Sequence, residues 1–367
     1  MTPITKNIGV LGAGQLGRML AIAGYPLGQK FGFLGGGPTD PSALLGHMHT
    51  DMDDTDSIEA LTRFADVITY ESENTDVETV RRIAETVPVY PGEKSLYYSQ
   101  HRGREKGLFD QLGIPCAPYR MVSDRATLES AVEDLGLPAI LKTTTEGYDG
   151  KGQFLIREPG QLDEAWAAMN GREAILEGFV KFRRELSIIA VRNAADEHVY
   201  YPLVENDHHQ GILRLTRAPA TDVAPEIQQR AEGYMQALLD EMDHVGCLAL
   251  ELFETDDGLV ANEMAPRVHN SGHWTIEGAN TSQFENHVRA ITGLPLGDTA
   301  PRQPFAAMVN IIGETGPVSE VLRLPNAHLH LYDKTERPGR KLGHINVVAD
   351  SRDELEATLE RLRPFLP

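Results

Sequence analysis

The chain has 367 residues, which is enough for two or three domains and a large buried core. With 41% hydrophobic and 24% charged residues, its composition is typical of soluble globular proteins and excludes collagen-like, mucin-like and wholly disordered classes. The 34 Lys and Arg against 54 Asp and Glu give a formal net charge of −20, which disfavours general binding to nucleic acid or to anionic membranes. A small anionic ligand would need a local cluster of cations.

Cysteine content and apolar runs narrow the class further. Cys116 and Cys247 lie far apart and form no C-x-x-C motif, so neither a disulfide scaffold nor a cysteine zinc site is predicted. Glycines interrupt the apolar run at residues 8–11 before it reaches the length of a signal-peptide core, and no run approaches the roughly 20 apolar residues of a membrane span. We expect a soluble cytoplasmic protein.

The first hundred residues alternate short apolar runs with amphipathic segments. Residues 8–11, 31–34 and 67–70 are predicted strands, and residues 16–27 and 77–86 are predicted helices. Strands that alternate with helices predict a parallel sheet, and therefore an α/β domain.

After residue 119 most predicted elements are strands. They cover residues 139–142, 153–156, 185–192, 200–205, 212–217, 246–254, 259–264, 307–312, 328–332 and 343–348, with helices at 161–169, 225–239 and 352–362. Strands in series predict an antiparallel sheet and α+β architecture. Boundaries near residues 100 and 300 would divide the chain into domains 1–100, 101–300 and 301–367.

Gly12, Gly14 and Gly17 form a G-x-G-x-x-G pattern between a predicted strand and a predicted helix, which is the context of a dinucleotide-binding turn. A nicotinamide cofactor also needs an Asp or Glu at the end of the second strand, where this chain has Gly35. The alternative is that the glycines only allow the helix to pack closely on its strand.

The segment EGYDGKGQ, residues 146–153, places three glycines around Asp149 and Lys151 between two predicted strands. Its backbone N–H groups and its lysine could fold over phosphates. It is not a P-loop, because the G-x-x-x-x-G-K-[ST] spacing and a following helix are missing, and an ordinary hairpin turn is the alternative. Lys142, which ends the preceding strand, is placed to reach an α-phosphate.

Two glutamates lie on the late strands. A three-residue loop at 256–258 would pair Thr255 with Leu259 and would make Glu251 face Glu263, with their Cβ atoms about 5 Å apart. Like charges so placed destabilise a sheet unless a cation lies between them, and Mg²⁺ held by carboxylates and phosphates meets that need. A register shifted by one residue would instead leave one of the two side chains facing solvent.

Two later segments are rich in polar groups. Residues 267–275, RVHNSGHWT, follow Glu263 and are predicted to line a site, although His269 alone carries little weight. The second segment gathers four cations in a strongly acidic chain, namely Lys334, Arg337, Arg340 and Lys341. Such a local reversal of charge predicts a bound phosphate, with a solvated basic loop as the alternative.

Together these features resemble the ATP-grasp enzymes, carboxylate–amine ligases that activate an acid as its acyl phosphate. Residues 146–153 (EGYDGKGQ), 262–275 (NEMAPRVHNSGHWT) and 337–345 (RPGRKLGHI) resemble the N5-carboxyaminoimidazole ribonucleotide synthetases of purine biosynthesis. The resemblance covers nearly the whole chain. It implies an N-terminal Rossmann-like domain at 1–100, a central ATP-grasp domain at 101–300 with a lid at about 118–180, and a small C-terminal domain at 301–367.

The resemblance also implies site residues. Those implied to bind ATP are Arg102, Lys142, Gly147, Tyr148, Asp149, Gly150, Lys151, Gly152, Gln153, Glu177, Gly178, Phe179, Val180, Glu185, His208, Asn262 and Glu263. Glu251 and Glu263 would hold Mg²⁺. Those implied to bind the ribonucleotide are Asp149, Lys151, His273, Lys334, Arg340 and Lys341. The implied catalytic residues are Asp149, Lys151, Arg267 and His273.

The implied reaction is the ATP- and bicarbonate-dependent carboxylation of 5-aminoimidazole ribonucleotide through carboxyphosphate, by a homodimer. Arg267 would neutralise the developing carboxyphosphate charge, and Asp149 would orient the amine. Three alternatives stay open: another ATP-grasp ligase such as formate-dependent glycinamide ribonucleotide transformylase, an NAD(P)-dependent oxidoreductase, and a nucleotide sensor without catalysis. The first should lack the pairing of segments 267–275 and 337–345, and the last should lack the paired glutamates.

Overall fold

The computed structural model of the protein describes residues 4–51, 54–145, 147 and 152–363. Strands in these residues form three hydrogen-bonded sheets, of four, nine and four strands. In the described part of the chain, no helix is long and apolar enough to cross a membrane.

The N-terminal sheet is parallel, as its alternating pattern predicts. Its unit contains β1 (Asn7–Leu11), α1 (Gln15–Gly24), β2 (Lys30–Gly35), β3 (His47–Thr50), α2 (Thr55–Phe64), β4 (Val67–Tyr70), α3 (Val77–Ala84) and α4 (Glu93–Ser99). The strand order is β3-β2-β1-β4, so the residues that follow β1, β2 and β4 meet at one edge of the sheet. Helix α1 is shorter than predicted, because Pro26 lacks the N–H that would continue it and residues Tyr25–Leu27 form a 3-10 turn.

The middle unit is a small antiparallel sheet with helices packed on it. It follows α5 (Arg102–Gln111) and contains β5 (Tyr119–Val122), α6 (Arg125–Leu135), β6 (Ala139–Thr143), β7 (Gln153–Ile156), α7 (Leu162–Ala168) and β8 (Ala174–Gly178). The strand order is β5-β8-β6-β7, which places the Gly-rich segment between two neighbouring strands, as predicted.

The large sheet is antiparallel in every pairing among the described residues. Its unit contains β9 (Arg184–Arg192), β10 (His198–Tyr200), β11 (Val204–His209), β12 (Ile212–Ala218), α8 (Pro225–Glu241), β13 (Gly246–Thr255), β14 (Gly258–Ala265), α9 (Thr275–Gly278), α10 (Gln283–Thr292), β15 (Phe305–Ile312), α11 (Val318–Val321), β16 (Ala327–Leu331), β17 (Lys341–Ala349) and α12 (Arg352–Leu362). The order is β14-β13-β9-β11-β12-β15-β17-β16, so the C-terminal strands continue the central sheet.

One apolar core joins the N-terminal unit to the large sheet. Helix α1 packs against α10, and Leu20 and Phe33 belong to the same buried cluster as Trp274 and Phe284. This shared core fixes the turn between β1 and α1 relative to the segment that follows β14.

The strand predicted at residues 200–205 is interrupted. Strand β10 ends at Tyr200 and β11 begins at Val204, because Pro202 lacks the N–H that a continuous ladder needs. Tyr201 lies edge-on to Trp274 in the core, with ring centroids 6.4 Å apart. The break therefore places an aromatic side chain between the sheet and α10.

Replacement of Tyr201 tests this core. Its hydroxyl donates to the Thr281 carbonyl at 2.8 Å and accepts from Asn286 Nδ2 at 3.0 Å. Tyr201→Phe leaves both buried partners without this bond, so we expect a loss of about 1–3 kcal/mol in the free energy of unfolding, measured by denaturant titration. Tyr200→Phe is the control, because its hydroxyl donates to the part-buried Gln236 and, within the described ranges, to no other group. An equal loss in both variants would contradict the assignment.

Candidate active site

The hairpin of β13 and β14 carries Glu251 and Glu263. Its loop is one residue shorter than predicted, because Thr255 pairs with Gly258. If that register continued along the hairpin, the two carboxylates would lie on opposite faces of the sheet.

A β-bulge changes the register before this happens. The pairing shifts between Leu252 and Leu250, and beyond the shift Leu250 faces Met264. Glu251 thus lies opposite the bulged stretch that contains Glu263. The predicted loop is wrong, and the expected proximity of the two carboxylates arises from a bulge that the sequence did not reveal.

The electrostatics of the two carboxylates differ. Burial and the charge of Glu263 raise the pKa of Glu251 to about 7, and His269 Nε2 lies 3.3 Å from Glu251 Oε1. Burial also acts to raise the pKa of Glu263, but the Arg102 guanidinium, 2.8 Å away, holds it below the usual value. In the described ranges, no group of three or more His, Cys, Asp or Glu side chains could hold a metal ion by itself. A divalent cation at this pair would therefore need further ligands, such as phosphate oxygens.

A second buried charge cluster lies beside the first. Lys142 Nζ is 2.9 Å and Lys106 Nζ is 3.5 Å from Glu177 Oε2. Burial would raise the pKa of Glu177, but these two ammonium groups lower it to about 2. Among the described residues, no hydrogen-bond partner exists for Glu177 Oε1, which therefore remains a buried acceptor.

The segment after β8 links the small sheet of β5, β6, β7 and β8, which we call the lid sheet, to the large sheet. The backbone N–H of Gly178 donates to Pro118 O at 2.8 Å, and that of Phe179 donates to Pro138 O at 3.3 Å. The Phe179 side chain is 47% exposed. The predicted segment from Glu177 to Val180 thus combines a buried acceptor with an exposed aromatic ring.

The Gly-rich segment contacts the acidic pair through Arg102. Arg102 Nη2 donates to Gly147 O at 3.2 Å, and the backbone N–H of Arg102 donates to Thr144 O at 2.9 Å. Gly152 has φ +71°, a conformation that favours glycine, and Gln153 pairs with Lys142. The remaining predicted residues of the loop lie outside the described residues: Tyr148, Asp149, Gly150 and Lys151.

Glu185 and His208 are brought together on β9 and β11. His208 Nδ1 lies 3.0 Å from Glu185 Oε2. Burial lowers the pKa of His208, but Glu185 and Glu251 outweigh it, and the pKa is raised. This pair therefore belongs to the same charged cleft as Glu251.

Arg267 is held by a residue that the sequence had not indicated. Its Nε donates to Glu73 Oε2, and burial of Glu73 is outweighed by Arg267, which lowers the Glu73 pKa to about 2. Arg267 also interacts electrostatically with Glu263 and with Glu71. It thus lies between the acidic pair and the carboxyl edge of the N-terminal sheet.

The Gly-rich turn after β1 holds a carboxylate. The backbone N–H of Gly14 donates to Glu71 Oε1, and the backbone N–H of Gly17 donates to Glu71 Oε2. A helix N-terminus of this kind attracts anions, and here the protein itself supplies one. At the end of β2, a Cβ on Gly35 would collide with Ala13, so an acidic side chain cannot be accommodated there.

The basic residues of the C-terminal loop lie next to this turn. Lys334 Nζ donates to Gln15 Oε1 at 2.5 Å, and burial together with Arg340 lowers the Lys334 pKa to about 8. Arg340 Nη1 donates to the carbonyl oxygen of Thr335 at 3.1 Å and to the hydroxyl of Thr335 at 2.7 Å. Lys341 begins β17. Lys334 therefore lies against the first βα turn, and the charges of Arg340 and Lys341 act on it.

The two histidines of segment 267–275 have different positions. His273 is only 2% exposed and packs against His344, with ring centroids 5.0 Å apart. The expected contact of His273 with a ribonucleotide stays a prediction. His269, which the sequence had given little weight, lies nearer the cleft, with its Nδ1 2.9 Å from Ser271 Oγ.

Several cleft residues were not predicted. Glu71 and Glu73 directly follow a predicted strand of a parallel sheet, and the carboxyl ends of such strands commonly form sites. Glu105 and Lys106 stand three and four positions after Arg102 on a helix, a spacing that places all three on one face. Burial and Glu263 raise the pKa of Glu105 to about 8.

Comparisons with known proteins agree with this geometry. Family models match for the ribonucleotide synthetase preATP-grasp domain at residues 5–100, the ATP-grasp domain at 107–284 and the phosphoribosylaminoimidazole carboxylase C-terminal domain at 306–358. The N5-carboxyaminoimidazole ribonucleotide synthase of Pseudomonas aeruginosa is 46% identical over 361 residues, which cover 98% of this chain and 99% of that protein. The chain belongs to the N5-carboxyaminoimidazole ribonucleotide synthase family.

Solved structures of this family superpose closely. The N5-carboxyaminoimidazole ribonucleotide synthetase from Thermus thermophilus is 49% identical, with a TM-score of 0.93 and 98% coverage of both chains. The Aspergillus clavatus N5-carboxyaminoimidazole synthase in complex with ADP and 5-aminoimidazole ribonucleotide is 33% identical, with a TM-score of 0.91, and covers 99% of this chain and 98% of its own.

The family decides between the alternatives. As an N5-carboxyaminoimidazole ribonucleotide synthase, the chain is an ATP-dependent carbon–nitrogen ligase with the predicted ATP-grasp fold. A transformylase, an oxidoreductase and a non-enzymatic sensor are not supported. The domain limits at residues 100 and 300 stay predictions.

Because Glu71 occupies the Gly-rich turn after β1, the turn is predicted not to bind a dinucleotide cofactor. Glu71 fills the place of a pyrophosphate, so we expect NADH not to bind at all. Calorimetric titration with NADH should give no heat beyond dilution, and ATP with Mg²⁺ is the positive control. Micromolar NADH binding would contradict the assignment of Glu71 as the resident anion.

Proposed function

We propose that the enzyme uses ATP and bicarbonate to carboxylate the amine of 5-aminoimidazole ribonucleotide, giving N5-carboxyaminoimidazole ribonucleotide for purine biosynthesis. The observation that carries this proposal is the position of Arg267. Its charge interacts with Glu263, on the side of the ATP residues, and with Glu71, which in turn interacts with Lys334 of the basic cluster. Family membership supports the same substrates, because the Aspergillus clavatus relative has been solved in complex with ADP and 5-aminoimidazole ribonucleotide.

For the nucleotide, we assign the cleft between the lid sheet and β14. The orphan acceptor Glu177 Oε1 is suited to an adenine amino group, and the nearby ammonium of Lys142 is suited to a phosphate. Glu185 and His208 would contact the ribose and the phosphates from β9 and β11. Residues 148–151 would close over the phosphates, as the resemblance implies.

For Mg²⁺, the fit rests on the carboxylate pair. The raised pKa of Glu251, caused by burial and by Glu263, indicates a site with excess negative charge, which a divalent cation relieves. Asn262, Glu263 and Glu251 would hold the ion together with ATP oxygens. When bound, Mg²⁺ would neutralise charge on the phosphates.

For the ribonucleotide, we assign its 5′-phosphate to Lys334, Arg340 and Lys341. Lys334 lies beside the turn that Glu71 occupies, and the charges of Arg340 and Lys341 act on Lys334, so the phosphate would bind to side chains and not to the helix N-terminus. Asp149 and Lys151 would hold and orient the aminoimidazole, as implied by the resemblance. His273 stays a proposed ribonucleotide contact, and we add His269 to the cleft because it lies beside Glu251.

The proposed chemistry has two steps. A bicarbonate oxygen attacks the γ-phosphorus of ATP, ADP leaves, and carboxyphosphate forms. The exocyclic amine then attacks the carboxyl carbon of carboxyphosphate, or of CO₂ released from it, and inorganic phosphate and a proton leave. Arg267, oriented by Glu73 through Nε, would neutralise the carboxyphosphate charge. A closed lid would protect this labile intermediate from water.

The direct test is ADP release by the pure protein. We expect it to require both bicarbonate and 5-aminoimidazole ribonucleotide, and ADP release that needs formate and glycinamide ribonucleotide would overturn the proposal. A homodimer and a cytoplasmic location are further proposals, and sedimentation velocity tests the first.

Glu263→Gln tests the metal site. An amide lacks the charge that a metal-bridging carboxylate supplies, so we expect ADP release to be abolished at millimolar Mg²⁺ while the circular dichroism spectrum stays unchanged. Glu254→Gln is the control, because Glu254 lies on the same hairpin but pairs with Arg184 of β9. Near-normal ADP release by Glu263→Gln would contradict the assignment of Glu263 to the metal site.

Arg340→Ala and Lys341→Ala test the ribonucleotide phosphate site. A charge-assisted contact contributes about 1.5–3 kcal/mol, so each change should raise the KM for the ribonucleotide by roughly 10- to 150-fold. The KM for ATP should barely change, because its phosphates are assigned to Lys142, the lid and Mg²⁺. We would abandon the site if ATP were affected as strongly, or if neither KM changed.

A further inference from the structure

One face of α5 contacts the outer edge of β14. Arg102, Glu105 and Lys106 are spaced i, i+3 and i+4, which places them together on the helix surface. Arg102 reaches the side chain of Glu263, as described above. Glu105 and Lys106 instead reach backbone groups of the same strand.

Strand β14 is the edge strand of the large sheet, and among the described residues its outer side is paired only by an isolated bridge between Cys116 and Ala261. Lys106 Nζ donates to the Asn262 carbonyl oxygen at 2.8 Å. The backbone N–H of Met264 donates to Glu105 Oε1 at 2.6 Å. The two side chains thus hold the backbone immediately before and immediately after Glu263.

Both side chains are almost completely buried. Glu105 is 2% exposed and Lys106 is 1% exposed. Burial of a carboxyl and an ammonium is costly, and apolar side chains of similar volume would cover the strand edge without that cost. What they could not provide is a directed bond to each of the two peptide groups. We therefore attribute to Glu105 and Lys106 the placement of the β14 backbone rather than stabilisation of the fold.

We propose that Glu105 and Lys106 are positioning residues for ATP: they fix the backbone of the bulge so that Asn262 and Glu263 face the nucleotide. Lys106 adds a link to the adenine end of the cleft, because its Nζ also lies 3.5 Å from Glu177 Oε2. The inference rests on the proposed function only in assigning Asn262, Glu263 and Glu177 to ATP. Neither Glu105 nor Lys106 touches the reacting atoms.

The test compares two variants of Glu105 in the full-length protein. Glu105→Leu removes the acceptor for the Met264 N–H, whereas the side-chain carbonyl of Glu105→Gln can still accept this bond. By calorimetry, with no ribonucleotide present, we expect Glu105→Leu to raise the ATP Kd by roughly 5- to 100-fold at fixed Mg²⁺, and to raise the Mg²⁺ concentration needed for half-maximal ATP binding. Glu105→Gln should restore both values to within about threefold of the parent. Gln111→Leu, on the exposed side of α5, controls for an added leucine.

Lys106→Met provides a second arm, because methionine keeps the length of the buried stem but donates no hydrogen bond. We expect weaker ATP binding here too, with the melting temperature measured in parallel. Variants that remain folded and bind ATP and Mg²⁺ like the parent would overturn the proposal. A Glu105→Gln variant as impaired as Glu105→Leu would overturn it as well, since a bond to Met264 would then not be the cause.

Failure of the proposed function has a different signature. A parent protein that binds ATP but releases no ADP with bicarbonate and 5-aminoimidazole ribonucleotide would refute the carboxylation, and the ATP titrations would still judge the positioning role.

Discussion

The burial of two neighbouring carboxylates, Glu251 and Glu263, is the constraint on which the rest of the cleft depends. In a poorly solvated site each charge raises the energy of the other, so both must find positive partners. Arg102 lies against Glu263, and the charges of His208 and Lys341 act on Glu251. The cleft therefore presents negative charge that is only partly compensated, next to the ammonium of Lys142, and this is the pattern that a phosphate with its divalent cation complements.

The N-terminal unit has the Gly-rich turn of a dinucleotide-binding fold but uses it for a different purpose. The turn after β1 has the glycines, the strand before it and the helix after it that bind pyrophosphate elsewhere. Here Glu71 accepts the N–H groups of Gly14 and Gly17, and Lys334 supplies the positive charge nearby. The anion-binding capacity of the helix N-terminus is thus used to hold a side chain, which leaves phosphate recognition to cations from the C-terminal loop.

The elements were predictable where the apolar residues form a short bounded run or a regular period. Residues 67–70, 153–156 and 352–362 form the predicted elements with unchanged limits, because the first two are short apolar runs and the third repeats leucines at helix spacing. The bulge opposite Glu251 was not predicted, since it depends on tertiary pairing. The break at Pro202 was missed although a proline within a strand pattern is a local signal for it. Glu71 and Glu73 were missed because only their place after a parallel strand distinguishes them from solvated acids, and strand order then brings them to Arg267.

The side-chain directions of His269 and His273 were likewise not predictable from the local sequence. Between them the chain forms a 3-10 turn, so the side-chain directions follow neither strand nor helix periodicity. His269 Nδ1 lies 2.9 Å from Ser271 Oγ, which accepts a bond from Ser187 at 2.7 Å, and Asn206 donates to Ser187 at 2.9 Å. Since Ser187 and Ser271 are completely buried, this chain of bonds constrains the imidazole from behind. The sheet therefore fixes His269 toward Glu251, while the same turn directs His273 into the core.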